Sequence, residues 1–286
     1  MAITSGIIFG IIAMLGWGVA DFFAAKAVRK SSILKTFFWA QTTGMIVIFI
    51  IFSLFFRFPV VSFSSIIMLL ISALLGVISL LAFYKGLQIG TISIVSPVAS
   101  AWAVIVVLLS MVFLDEALTA LQTAGISLAI IGGILASFRY HDLIRLKLRK
   151  IARGVEYGLI AMLGWGIMFT LIGILVSKLG WFFPMMFINV LGVLYVLTYS
   201  SIAKKNVSFP KNVALVIVLA GILQAIAFLA FGAGVNSEYV AIVAPVAASF
   251  PAVTIILARI FFKEILELNQ KIGIISVLVG FVLLSI

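Results

Sequence analysis

The chain has 286 residues, 65% of them apolar and 9% charged, with 19 Lys and Arg against 8 Asp and Glu and a net charge of +11. Its mean hydropathy of +1.39 lies far outside the range of soluble domains, so the positive charge has no soluble surface on which to gather for nucleic acid. Cysteine is absent and histidine occurs once, at His141, which excludes disulfides, thiolate sites and histidine-rich metal centres.

A hydrocarbon core about 30 Å thick takes roughly 20 residues of helix to cross. Ten apolar stretches are long enough, and they are apolar nearly all round rather than alternating, so helices are expected and strands are not. Span 1 (4–26) holds the run Ala-Met-Leu-Gly-Trp-Gly at 13–18 and the acid Asp21. The apolar run of span 1 is too long for a cleaved signal peptide, and no basic residue precedes it, so it is expected to remain. Span 2 (36–56) carries Gln41, and span 3 (64–86) ends near Tyr84, ahead of Gln88. Span 4 (91–114) contains Ser96, Pro97 and Trp102; span 5 (119–138) follows Glu116. After the basic stretch 139–153, span 6 (154–177) repeats Ala-Met-Leu-Gly-Trp-Gly at 161–166. Span 7 (181–203) holds Asn189, span 8 (212–235) Gln224 with Asn236 just beyond it, span 9 (239–262) Pro245, and span 10 (268–286) follows Glu264.

The two hexapeptides are 148 residues apart, and the same offset joins Pro97 to Pro245, Glu116 to Glu264, Gln122 to Gln270, Gly125 to Gly273 and Gly132 to Gly280. The chain is therefore a duplication: a five-helix copy over 1–138, a linker over 139–153 in which His141 reads as a solvated loop residue, and a second five-helix copy over 154–286. The loops after odd-numbered spans hold 17 of the 19 basic residues, leaving Arg57 and Lys178 on the other side. By the positive-inside rule those loops are cytoplasmic and both termini lie outside. Matched loops of the two copies also differ in charge, as an odd number of spans per copy requires. The fold class is thus all-α and integral to the membrane, with ten transmembrane helices arranged as two inverted five-helix repeats.

Proline inside a membrane helix removes a hydrogen bond, here to the carbonyl of Ser93 or Ala241, and symmetry-related breaks are the best sequence pointer to a transport site. Pro97 and Pro245 are accordingly candidate helix breaks, with a packing kink as the plain alternative. Gln88 and Asn236 adjoin the broken spans, where an amide could read a polar group. Gln41 and Asn189 read rather as hydrogen-bonding partners between helices. Trp17 and Trp165 lie well inside their spans and suit either a cavity wall or bundle packing; Trp102 and Tyr84 fit the same pattern, with an interfacial anchor as the alternative for Tyr84, close to a span end. Asp21, whose counterpart is Phe169, must meet water, a cation or a basic partner such as Lys26 or Lys85. A structural ion pair, a proton site and a substrate-amine site remain open for it. Ser96 and Gln224 complete the candidate substrate-binding set. Glu116 and Glu264 read as caps for the helices that follow them, with coupling-ion binding as the alternative, and Glu156 reads as interfacial. The Gly-x3-Gly pairs at 6 and 10, 86 and 90, and 154 and 158 have the spacing of close helix packing.

Each copy closes on Glu-x5-Gln-x2-Gly-x6-Gly, from Glu116 to Gly132 and from Glu264 to Gly280. With the early Gly-Trp-Gly, the mid-helix prolines and ten spans, the chain resembles the drug/metabolite transporter superfamily, specifically its EamA-type members. The resemblance covers nearly the whole sequence. It implies a basket-like bundle that moves small metabolites by alternating access, without an ATPase or a bound cofactor. Many members have cytoplasmic termini, from which the charge tally here departs.

The leading expectation is a secondary transporter of small metabolites, amino acids or similar small organic solutes, in the cell (plasma) membrane. Its partners would be a small-molecule substrate, membrane lipid, and a proton or other coupling ion that Asp21 could carry, in a monomer with no nucleic acid. A drug or polyamine exporter of the same fold and a non-transporting membrane protein are the alternatives. An intramembrane enzyme has no home for its chemistry, since paired-acid metal motifs and histidine clusters are missing.

Overall fold

The computed structural model describes residues 4–90, 92–137, 140, 154–262 and 267–284. The linker 141–153 with His141, Glu264 and the side chain of Ser93 fall outside the described residues. All regular structure among the described residues is helical: α1 (Ser5–Lys30), α2 (Ile33–Phe55), α3 (Phe63–Ile89), α4 (Ile92–Ser100), α5 (Trp102–Phe113) and α6 (Ala120–Ser137) form the first copy. The second comprises α7 (Val155–Leu179), α8 (Phe182–Ile202), α9 (Ala214–Ser237), α10 (Val240–Ala248), α11 (Phe250–Phe262) and α12 (Leu268–Leu284). Because α4–α5 and α10–α11 each make one crossing, these are ten spans; seven are helical over 19 to 27 residues, and those at Ala120–Ala136, Val240–Thr254 and Leu268–Leu284 are shorter.

Local chemistry sets the helix starts. Thr4, Ser32 and Ser62 each accept a hydrogen bond from the backbone N–H three residues on. At α6, Gln122 Oε1 accepts from Thr119 N at 2.9 Å while Thr119 Oγ1 accepts from Gln122 N at 3.2 Å, closing a capping box. Gln270 Oε1 likewise accepts from Glu267 N at 3.0 Å. The repeated glutamine of the motif is therefore a helix-start residue.

The prolines lie within α4 and α10, and the interruptions come one turn later, at Ala101 and Ser249. Ser100 Oγ donates to the Pro97 carbonyl at 3.0 Å and Ser249 Oγ to the Pro245 carbonyl at 2.9 Å. Hydroxyls bonding back in this way compete with the helix ladder and bend it. The serine after each proline thus places the break, a signal that the prolines alone did not carry.

The copies interlock. The main partner of α1 is α9, that of α7 is α3, and α6 packs along α12, so each of these helices is buried chiefly against the other copy. The repeated glycines make the last contact possible: a Cβ on Gly132 would stand 2.7 Å from the Gly273 carbonyl, and one on Gly280 2.7 Å from the Gly125 carbonyl. Small residues let helix backbones approach where lipid offers no hydrophobic drive.

The loops gather at two ends. At the basic end Lys35 Nζ donates to Ser208 Oγ at 3.0 Å, Trp39 Nε1 to the Val207 carbonyl at 2.8 Å, and Gly86 faces the Gly154 carbonyl. At the opposite end the Phe56 and Phe182 rings stack with centroids 4.1 Å apart, and Gly6 faces Glu238. Helix α1 starts at the second end and α7 at the first, so equivalent helices run in opposite directions.

Candidate functional site

Between the copies lies a cavity that is partly continuous with the outside. Its floor is aromatic. Trp17 of α1, Trp102 of α5, Phe169 of α7 and Phe231 of α9 form a cluster in which ring centroids lie 4.3 Å apart for Trp102 and Phe169, 4.6 Å for Phe169 and Phe231, and 5.5 Å for Trp17 and Phe169. Such tilted and edge-on pairs add to simple burial. Beyond it, toward the end opposite the basic loops, Phe52, Phe56, Phe58, Trp181, Phe182 and Phe183 form a second aromatic layer.

Asp21, Gln41, Leu80, Trp165 and Gln224 line the space between that floor and the basic end. Asp21 lies one helical turn from Trp17, which places both on one face of α1. Gln41 and Asn189 come from α2 and α8, whose crossing sets each amide near a glycine of the other helix: Gln41 Nε2 is 3.8 Å from the Cβ position of Gly192, and Asn189 Nδ2 is 3.8 Å from that of Gly44. Small residues there leave the amides room to face the cavity.

Of the sequence candidates, the structure brings Trp17, Asp21, Trp102, Trp165 and Gln224 together around this one cavity. Gln88 and Asn236 lie exposed near the ends of α3 and α9, because both helices run past them to Ile89 and Ser237. Tyr84 is buried beside Phe83, within electrostatic reach of Asp21, and Ser96 is buried in α4; neither lines the cavity. Gln41 and Asn189 do line it; their shared offset was the signal available. Lys26 is exposed, and no ion pair joins it or Lys85 to Asp21 among the described residues.

The two ends are not equally closed. At the end opposite the basic loops α10 lies along α5, and all nine residues of α10 are buried. At the basic end the equivalent helices α4 and α11 make few contacts among the described residues. Glu116 helps to hold the closed end: it is buried, and its two carboxylate oxygens accept hydrogen bonds from Val240 N and Ala241 N, each at 2.9 Å. It therefore caps α10 of the other copy, whereas the helix following it, α6, is capped by Thr119 and Gln122. An anion at a helix N-terminus meets both free N–H groups and the positive end of the dipole. Glu156 is exposed and accepts from Gly154 N at 3.1 Å.

The model of the EamA-like transporter family matches residues 4–138 and again 152–286, nearly the whole chain in two successive units. The chain belongs to the EamA-like transporter family. It is 37% identical over 133 residues to an uncharacterized protein of Methanocaldococcus jannaschii, a match covering 46% of this chain and 96% of that protein. That relative is about the length of one copy of the duplication. A solved crystal structure superposes with a TM-score of 0.80 over 100% of this chain and 99% of the other, at 15% identity, which speaks to the fold alone. Family membership makes the chain a multi-pass membrane transporter with no enzymatic role.

Proposed function

We propose that this chain is a secondary transporter that carries small organic solutes, of the size of amino acids, across the cell membrane by alternating access. One observation carries the reading: a cavity at the interface of inverted copies is shut at one end by packed aromatics and by the α5–α10 contact, while the equivalent α4–α11 contact at the other end is slight among the described residues. Inverted repeats give two such contacts by symmetry, and transport follows when one forms as the other parts. The positive-inside rule puts the less packed, basic end in the cytoplasm.

The test is flux. Purified protein in sealed liposomes should move a labelled small solute down its gradient, and the double change Trp17→Ala, Trp165→Ala should reduce that flux in protein that still unfolds cooperatively. Undiminished flux in the folded double variant removes these residues from the path.

A further inference from the structure

The charge balance of the cavity narrows the class of solute. Asp21 is the only charged side chain among the described lining residues, and no described Lys, Arg or His joins it. Its carboxylate has no hydrogen bond or ion pair among the described residues. Two further polar atoms of the lining are unmet: Trp17 Nε1 and Asn189 Oδ1 are buried without a hydrogen-bond partner, in residues 6% and 5% exposed. A buried polar group left unpaired costs about 1–3 kcal/mol. Asp21 is part-buried and the other two groups belong to lining residues, so a ligand that moved into contact with them would complete one donor and two acceptors.

We propose that the cavity binds an organic monocation, with a protonated amine at Asp21 and Asn189 Oδ1, a hydroxyl or carbonyl at Trp17 Nε1, and an apolar remainder against Trp165 and Phe169. The amine offers donors to both acceptors, and one positive charge brings the site to neutrality. Indole side chains in the same lining further favour a cation. A carboxylate on the ligand would enter without a cationic partner and beside a like charge, which is costly away from water. A zwitterion would leave the site with a net negative charge. A bare metal ion fits poorly, since hard cations take six or more oxygens and the walls are mostly apolar.

The inference rests on the reading of this cavity as the solute site, and a matched series of probes separates the two. Phenethylamine, phenylalanine and 3-phenylpropionate share a ring and differ in charge. Binding to the purified full-length protein is followed by the fluorescence of the cavity tryptophans. Phenethylamine should bind saturably, phenylalanine about tenfold or more weakly, and phenylpropionate not at all; Asp21→Asn should weaken the amine by about tenfold to a hundredfold, the range for one charge-assisted contact, and Asp21→Glu should restore part of the loss. Equal binding of amine and zwitterion, no binding of the amine, or an Asp21→Asn protein that binds it like the parent overturns the proposal. The ranking on the unaltered chain needs no variant to fold. Asp21-dependent binding with no passage of labelled amine into liposomes would sink the transport reading and leave the cation site standing. Flux of a neutral solute through Asp21→Asn at the parent rate, with amine binding unchanged, would do the reverse.

Discussion

Asp21 and Phe169 hold equivalent positions in the two copies, 148 residues apart, yet Asp21 faces the cavity from α1 while Phe169 packs into the cluster that floors it. The whole cluster has such counterparts: Trp17, Trp102, Phe169 and Phe231 correspond to Trp165, Phe250, Asp21 and Phe83. The first four are packed together; of the second four, Trp165, Phe250 and Asp21 line the cavity, and Phe83 lies 5.3 Å from Trp165. One set packed throughout, and its mirror set packed at Phe83 and Trp165 while Phe250 and Asp21 line the cavity, is the arrangement expected of one half of an alternating cycle. A carboxylate where the other copy has a phenyl ring makes the second closure dependent on what neutralises it.

Asp21→Phe should therefore favour closure of the basic end. The chain has no cysteine, so Val77→Cys in the cavity lining gives a unique probe for an impermeant thiol reagent added at the basic face. Adding Asp21→Phe should slow its labelling by about tenfold, equivalent to about 1.4 kcal/mol of shifted population. Labelling at an unchanged rate would show that the charge does not hold that end open.

Phe169→Ala should act at the other end. The ring touches Trp17, Trp102, Phe228 and Phe231, and removing a buried phenyl from a packed cluster costs about 3–5 kcal/mol. The expected result is a lower unfolding temperature together with labelling of Val77→Cys from the face opposite the basic loops, where the parent should be inert. Loss of stability without new access would make Phe169 a packing residue and no part of a barrier.

Glu116→Gln keeps the shape and removes the charge that faces the N-terminus of α10. The amide can still accept one of the two hydrogen bonds from Val240 and Ala241, so the cost should be about 1 kcal/mol, rising to about 2 kcal/mol for Glu116→Ala. Hydrogen exchange of the Val240 and Ala241 amides reads this locally: both should lose protection in the order parent, Gln, Ala. Unaltered protection would mean that α5 packing alone seals that end.

The duplication, the ten spans and their inversion were legible because offset and loop charge are properties of the sequence alone. So were Trp17, Trp165 and Asp21 as cavity candidates, since each is costly to place in lipid without a reason. The partner of Glu116 was not legible. The carboxylate caps a helix 124 residues away, across an interface formed only when the copies interlock. Gln41 and Asn189 are cavity residues because α2 crosses α8 at Gly44 and Gly192, a crossing that the order of spans does not disclose. Gln88 and Asn236 were placed by their nearness to proline, but α3 and α9 carry them past the cavity to the exposed ends.

Adjacent glycines of α6 give a controlled test of how the copies are joined. A methyl group on Gly132 would meet the Gly273 carbonyl at 2.7 Å and Val277 N at 2.8 Å, whereas one on Gly133 would find Ser249 Oγ at 3.6 Å, an ordinary contact. Both positions are mid-helix, so glycine to alanine brings the same gain in helix propensity, up to about 1 kcal/mol. The difference between the two variants therefore isolates packing. Gly132→Ala must push α6 away from α12 and should lose about 1–3 kcal/mol from overpacking, while Gly133→Ala should match or slightly exceed the parent in thermal unfolding of the detergent-solubilised protein. Equal melting of the two variants would mean that the glycine seam does not set the distance between α6 and α12, and the repeated Gly-x6-Gly would need another explanation.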